Sequence, residues 1–163
     1  MPKIRPANYS SLQKALHWII ALLIFYQITF VEYLEKMGEA FRSGGMPDTL
    51  TSILGNGHIV SGCTILALVL LRLWLRIKNG APAEPEGTSP LMAKAATAAH
   101  HTFYLILLLA PLSGIAMYFL GFRQAGAIHH FMEPAFLLLI TLHVGAALWH
   151  QFIIKDKLLQ RMI

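Results

Sequence analysis

At 163 residues the chain has the length of one domain, and its composition is that of a membrane protein. Hydrophobic residues make up 56% and charged residues only 13%, against about 25% charged residues in soluble domains. The single cysteine, Cys63, excludes an intramolecular disulfide and a cysteine-ligated metal cluster. The net charge of +5 does not indicate nucleic-acid binding, because the basic residues flank hydrophobic segments instead of forming one polar face.

Four segments are apolar enough to cross a bilayer, which needs about 20 mainly apolar residues per helix. The sequence predicts these spans at residues 12–34, 57–77, 101–122 and 129–154. No signal-peptide cleavage pattern follows the first span, so we expect it to be retained in the lipid membrane. Backbone polar groups in lipid must be satisfied within each segment, so the spans should be helices. The short connections favour an all-α, up-down-up-down four-helix bundle that includes the whole chain, 1–163.

The basic residues predict the orientation of the bundle. An even number of spans places both termini on one side, and that side holds ten of the 13 Lys and Arg residues. They are Lys3, Arg5, Lys14, Arg72, Arg76, Lys78, Lys94, Lys155, Lys157 and Arg161. The other side holds only Lys36, Arg42 and Arg123. By the positive-inside rule both termini are cytoplasmic, so this side is the inner one and the opposite side the outer one.

Four of the histidines in the spans form two sets at two depths. His129 and His143 of the fourth span are 14 residues apart, which places them on one helix face, about 21 Å apart along the axis. His17 lies about one turn inside the first span, and His58 lies in the first turn of the second. His17 and His143 therefore belong to the inner half, and His58 and His129 lie near the outer surface. Ionisable side chains at membrane depth are costly and usually mark function.

Two imidazoles from different helices suit the iron of a b-type haem, which takes two axial ligands. Zinc would need three or four ligands in a compact tetrahedron, and the spans do not supply them. The sequence therefore predicts two haem b groups, with all four histidines as iron ligands. Arg72 lies 14 residues after His58, on the same face at the inner depth, where it is a candidate partner of a haem propionate. The alternative is that Arg72 extends to the cytoplasm, like Arg76.

The chain also resembles the bacterial cytochrome b-561 family of small di-haem membrane proteins. The matching stretches are YSSLQKALHW, GHIVSG, LVLLRLWLRIK, AHHTFYLILLLAPLSG and LHVGAALWHQFIIKDKLLQRM. The resemblance implies the same ligands, His17 with His143 and His58 with His129, and a multi-pass protein of the inner membrane. It also implies a site for ubiquinone or another quinone on the cytoplasmic side. There His150 and His100 are the candidate catalytic residues.

The resemblance further implies an oxidoreductase that takes an electron from superoxide outside and passes it through both haems to quinone. The alternative is an electron-transfer subunit that anchors a periplasmic redox protein and has no substrate chemistry of its own. An acidic outer surface is a poor match for anionic superoxide; its residues are Glu32, Glu35, Glu39, Asp48 and Glu133. A proton-relay transporter is disfavoured, because no carboxylate lies at the centre of a span.

Pro134 lies five residues after His129, so the sequence alone does not decide which histidine is the outer ligand. A helix that starts or bends at this proline would shift the helical phase. Such a shift would favour His130 as the outer ligand in place of His129.

Overall fold

The computed structural model describes residues 6, 8–85 and 87–163. It contains four long helices, α1 (Ser11–Arg42), α2 (Thr49–Asn79), α3 (Pro90–Leu120) and α4 (Arg123–Trp149). A π-helical turn (His150–Ile154) and a 3₁₀ turn (Leu159–Arg161) follow α4. Each of the four helices is long and apolar enough to span a membrane, which confirms the predicted all-α, four-helix architecture. The orientation stays a prediction, and two basic residues behind it, Lys3 and Arg5, lie outside the described residues.

Local sequence signals determine where these helices begin and end. Ser10, Asp48 and Ser89 precede α1, α2 and α3, and their side chains accept hydrogen bonds from backbone N–H groups of the first turns. Such caps satisfy donors that have no partner within the helix. Gly80 and Gly121 follow α2 and α3 with positive φ angles of 79° and 72°, a backbone conformation that glycine adopts without steric cost.

The helices extend beyond the predicted apolar spans. α1 continues to Arg42, and α2 begins at Thr49, so His58 lies in the third turn of α2. The expectation that His58 lies in the first turn was therefore wrong, because the cap at Asp48 starts the helix earlier. Only residues 121–122 separate α3 from α4.

The helices pack in sequence, with close contacts between α1 and α2, α2 and α3, and α3 and α4. The buried core is small and contains Ile20, Ile65 and Val69. Large apolar side chains face outward instead, and both Leu22 and Phe25 are 67% exposed. An apolar exterior around a small core is what a bundle needs in lipid, where the surrounding solvent is itself hydrocarbon.

A close approach between α1 and α2 depends on glycine. The Tyr26 hydroxyl of α1 donates a hydrogen bond to the Leu54 carbonyl of α2 at 3.0 Å. A Cβ atom added to Gly57 would contact the Tyr26 hydroxyl and would lie 2.8 Å from its ring carbon Cζ. Small residues at a helix interface in a membrane allow this kind of backbone approach.

Gly57→Ala should therefore destabilise the bundle by about 1–3 kcal/mol, the usual cost of overpacking. The new methyl group would displace Tyr26 and break its hydrogen bond to Leu54. Thermal unfolding of the purified protein in detergent measures the effect. Gly38→Ala is the matched control, because a Cβ there meets only the flexible end of Arg42. Equal thermal-unfolding midpoints for Gly57→Ala and Gly38→Ala would contradict the prediction.

Candidate functional site

The structure brings His58 of α2 and His129 of α4 together in the half of the bundle that the sequence predicts to be the outer one. Their ring centres are 6.3 Å apart and their planes are inclined by 70°. α4 begins at Arg123 and continues through Pro134, so the proline does not start the helix. His130 is exposed, with its ring centre 6.1 Å from that of His129. This geometry favours His129 over His130 as the partner of His58.

The half that the sequence predicts to be the inner one contains a group of three imidazoles, from His17, His100 and His143. The ring centres of His17 and His143 are 6.3 Å apart, with planes inclined by 64°. The His100 ring of α3 also lies 6.3 Å from His143, and Phe103 packs edge-on against the same ring at 5.1 Å. The distances alone therefore do not distinguish His17 from His100 as the partner of His143.

Two facing pairs of imidazoles, His58 with His129 and His17 with His143, would be able to hold the iron of a haem. In the part of the chain that the structure describes, no group of three His, Cys, Asp or Glu side chains could hold a metal ion. The donor set therefore fits an iron whose remaining positions are filled by a porphyrin.

Hydrogen bonding orients the His129 ring. Its Nδ1–H donates to the backbone carbonyl of Ala110 on α3 at 2.7 Å, which leaves Nε2 free to bind a metal. Metal-binding histidines commonly donate their other ring N–H in this way. A Cβ atom on Gly114 would lie 3.2 Å from the same ring. The glycine therefore allows His129 to lie close against α3.

An apolar cleft with a cavity volume of about 210 Å³ surrounds His58 and His129, and all four helices contribute to its lining. Two buried polar atoms at the cleft, Nδ1 of His58 and Oε1 of Gln27, have no hydrogen-bond partner among the described residues. The Gln27 side-chain N–H nevertheless donates to the His58 carbonyl at 2.9 Å. Buried polar atoms without a partner are rare and often mark a place where a group binds. The cleft, its unpaired atoms and its facing imidazoles fit a haem.

Arg72 lies beside the inner histidines. Its Nη1 donates to the Gln13 carbonyl, one turn before His17 on α1, at 2.6 Å. Arg72 is close enough to His17 and His143 to interact with both electrostatically. This position favours Arg72 as the candidate partner of a haem propionate, because a guanidinium has further N–H groups to donate.

His150 has a partner that was not predicted from the sequence. It is the first residue of the π-helical turn after α4, and its Nδ1 lies 2.6 Å from Oδ2 of Asp156. An α-helix would not bring residues six apart onto one face. The sequence contained only a weak signal for this contact: a carboxylate that follows the end of a span containing a histidine.

Comparison with known proteins points to the family that the motifs indicated. A family model described as prokaryotic cytochrome b561 matches residues 8–163. The chain is 35% identical to cytochrome b562 of Cereibacter sphaeroides over 96% of this chain and 95% of that protein. It is 30% identical to cytochrome b561 homolog 1 of Escherichia coli strain K12, over 96% and 97%. Its identity to the probable superoxide oxidase CybB of Yersinia pestis is 26%, over 96% of each chain.

Proposed function

This chain belongs to the prokaryotic cytochrome b561 family of membrane electron-transfer proteins, and from that premise we propose that it carries two haem b groups. We propose that it moves electrons across the bacterial inner membrane between an outer donor, with superoxide the first candidate, and the quinone pool. Family membership already implies haem b binding. The observation that supports the finer proposal is the pairing of imidazoles across helices, 6.3 Å apart at each of two depths.

His58 and His129 would hold the outer haem, and His17 and His143 the inner one. When bound, haem iron supplies reversible one-electron chemistry, with potentials that axial ligands and burial adjust. His17 is preferred to His100 because α3 and α4 pack closely together, whereas α1 and α4 contact each other far less. A flat macrocycle between two ligands needs helices that are not in direct contact.

The outer end of the bundle, where the cleft around His58 and His129 opens, carries both acidic and basic side chains. Glu35, Glu133 and His130 line the cleft, and Lys36 forms an ion pair with Glu32 at 3.4 Å. Arg123 begins α4 and makes no ion pair within the described part of the chain. It is therefore a cation available to attract an anionic donor. The acidic residues favour a second candidate donor, a reduced periplasmic protein with a basic surface.

At the inner end, His150 and His100 would serve a quinone that enters from lipid. Reduction of a quinone to a quinol takes two electrons and two protons, so the site needs proton donors connected to the cytoplasm. Imidazole is suited to this role because its two ring nitrogens can accept a proton and donate one.

Purified protein should show b-type absorption bands with about two haems per chain, and a superoxide-generating system should reduce them in the presence of ubiquinone. Reduction should slow as salt rises, because the screening length is only about 10 Å at 0.1 M. Arg123→Gln should slow reduction by up to about 10-fold through lost steering. Lys94→Gln, which removes a cation from the opposite end, is the control. If superoxide reduces neither haem while quinol reduces both, the alternative function is correct, and the chain exchanges electrons with a periplasmic redox protein.

A further inference from the structure

The segment after α4 folds back and places a carboxylate on His150. The π-helical turn is closed by a hydrogen bond from the Lys155 N–H to the His150 carbonyl at 2.7 Å. Asp156 then accepts from His150 Nδ1–H through Oδ2 at 2.6 Å, and from the Leu158 N–H through Oδ1 at 3.1 Å. The His150 and Asp156 side chains are only 16% and 14% exposed. The two groups form a well-defined, partly buried pair.

The backbone around this pair is held in an unusual conformation. Lys155 and Lys157 have φ angles of 59° and 60°, in the left-handed region that residues with a Cβ rarely adopt. Such conformations persist where the surrounding structure fixes them, often at functional sites. Two further bonds fix this segment: Trp18 Nε1–H donates to the Met162 carbonyl at 2.7 Å, and Arg161 donates to the Ala83 carbonyl at 2.6 Å.

The pair has a definite chemical consequence for the imidazole. Partial burial raises the pKa of Asp156, but hydrogen bonds from His150 and Leu158 outweigh it and hold this pKa below its ordinary value. Asp156 is therefore a carboxylate near neutral pH. A carboxylate that accepts from Nδ1–H fixes the orientation of the ring. Nε2 is then the ring nitrogen left to carry a proton to another molecule.

We propose that Asp156 is a positioning residue for quinone reduction, because it holds His150 so that Nε2–H donates first a hydrogen bond and then a proton to a quinone oxygen. The inference rests on the proposed function, which supplies the quinone. In the balanced reaction, one quinone takes two electrons from the outer donor and two protons from the cytoplasm and becomes a quinol. Each transfer breaks the Nε2–H bond and forms an O–H bond. His150 is then protonated again from the cytoplasm, and Asp156 keeps its charge.

The test compares two electron acceptors in the haem-loaded protein. Reduced protein is mixed without oxygen with ubiquinone, which needs protons, or with ferricyanide, which takes one electron and no proton. Asp156→Asn should lower the maximal rate with quinone about 100-fold, with little change in the ferricyanide rate, both haem spectra and the unfolding midpoint. Asp156→Glu should restore part of the rate. Glu84→Gln, an exposed carboxylate in the loop before α3, is the matched control.

Two results would overturn the inference: a wild-type quinone rate in Asp156→Asn, or a parallel fall with both acceptors, which a merely structural role would produce. Heavy water provides a measurement that needs no variant. It should slow the wild-type reaction with quinone and leave the reaction with ferricyanide unchanged, and an equal effect on both would also overturn the inference. A wild-type protein oxidised by ferricyanide but not by quinone would instead refute the quinone acceptor in the proposed function itself.

Discussion

Replacing His58 or His129 by alanine should remove the outer haem and leave the inner haem bound, and replacing His17 or His143 should do the reverse. Each substitution removes one of the two axial bonds at one site. The two sites are separate because His129 and His143 lie about 21 Å apart along α4. Haem content should fall from about two to about one per chain in each variant. Haem absorbance per mole of purified protein measures it.

Two other histidines are matched controls for these variants. His130 neighbours His129 in sequence and is exposed, and the His100 ring lies as close to His143 as the His17 ring does. Both His130→Ala and His100→Ala should keep two haems. Loss of the inner haem in His100→Ala, with retention in His17→Ala, would show that α3 and not α1 supplies the inner ligand.

The placement of these histidines could be predicted from sequence because α4 is regular between them. A spacing of 14 residues returns to nearly the same helix face, and Pro134 does not change this because α4 begins well before it. Histidines of the other helices at the same predicted depth were then the expected partners. The structure brings His58 to His129 and His17 to His143.

Other features were not predictable because they depend on tertiary contacts or irregular backbone. The closeness of His100 to His143 follows from how α3 packs on α4. Asp156 reaches His150 only through a π-helical turn and a left-handed Lys155, and hydrophobic periodicity carries no signal for either. Helix ends beyond the apolar spans were also missed, because polar turns outside lipid lack a hydropathy signal. The cap at Asp48 could have been recognised from its residue type.

His150→Ala should keep both haems and yet slow their oxidation by quinone by about 10²-fold or more, the usual contribution of a positioned proton donor. The variant should keep the inner haem because His150 lies seven residues beyond His143, about 10 Å along the axis, too far to bind the same iron. Stopped-flow oxidation of the reduced protein by ubiquinone measures the rate, and the reduced spectrum measures haem retention.

His101→Ala is the control for the loss of a nearby imidazole, because His101 is exposed on the surface of α3. His100→Ala should also slow the quinone reaction, since His100 lies beside His143 and the proposed haem ligand there is His17. If His150→Ala reacts with quinone at the wild-type rate while His100→Ala is slow, the quinone contacts α3 and not the end of α4. In that case the His150–Asp156 pair would only anchor the chain after α4, and the protons would have to reach the quinone through the cluster around His100.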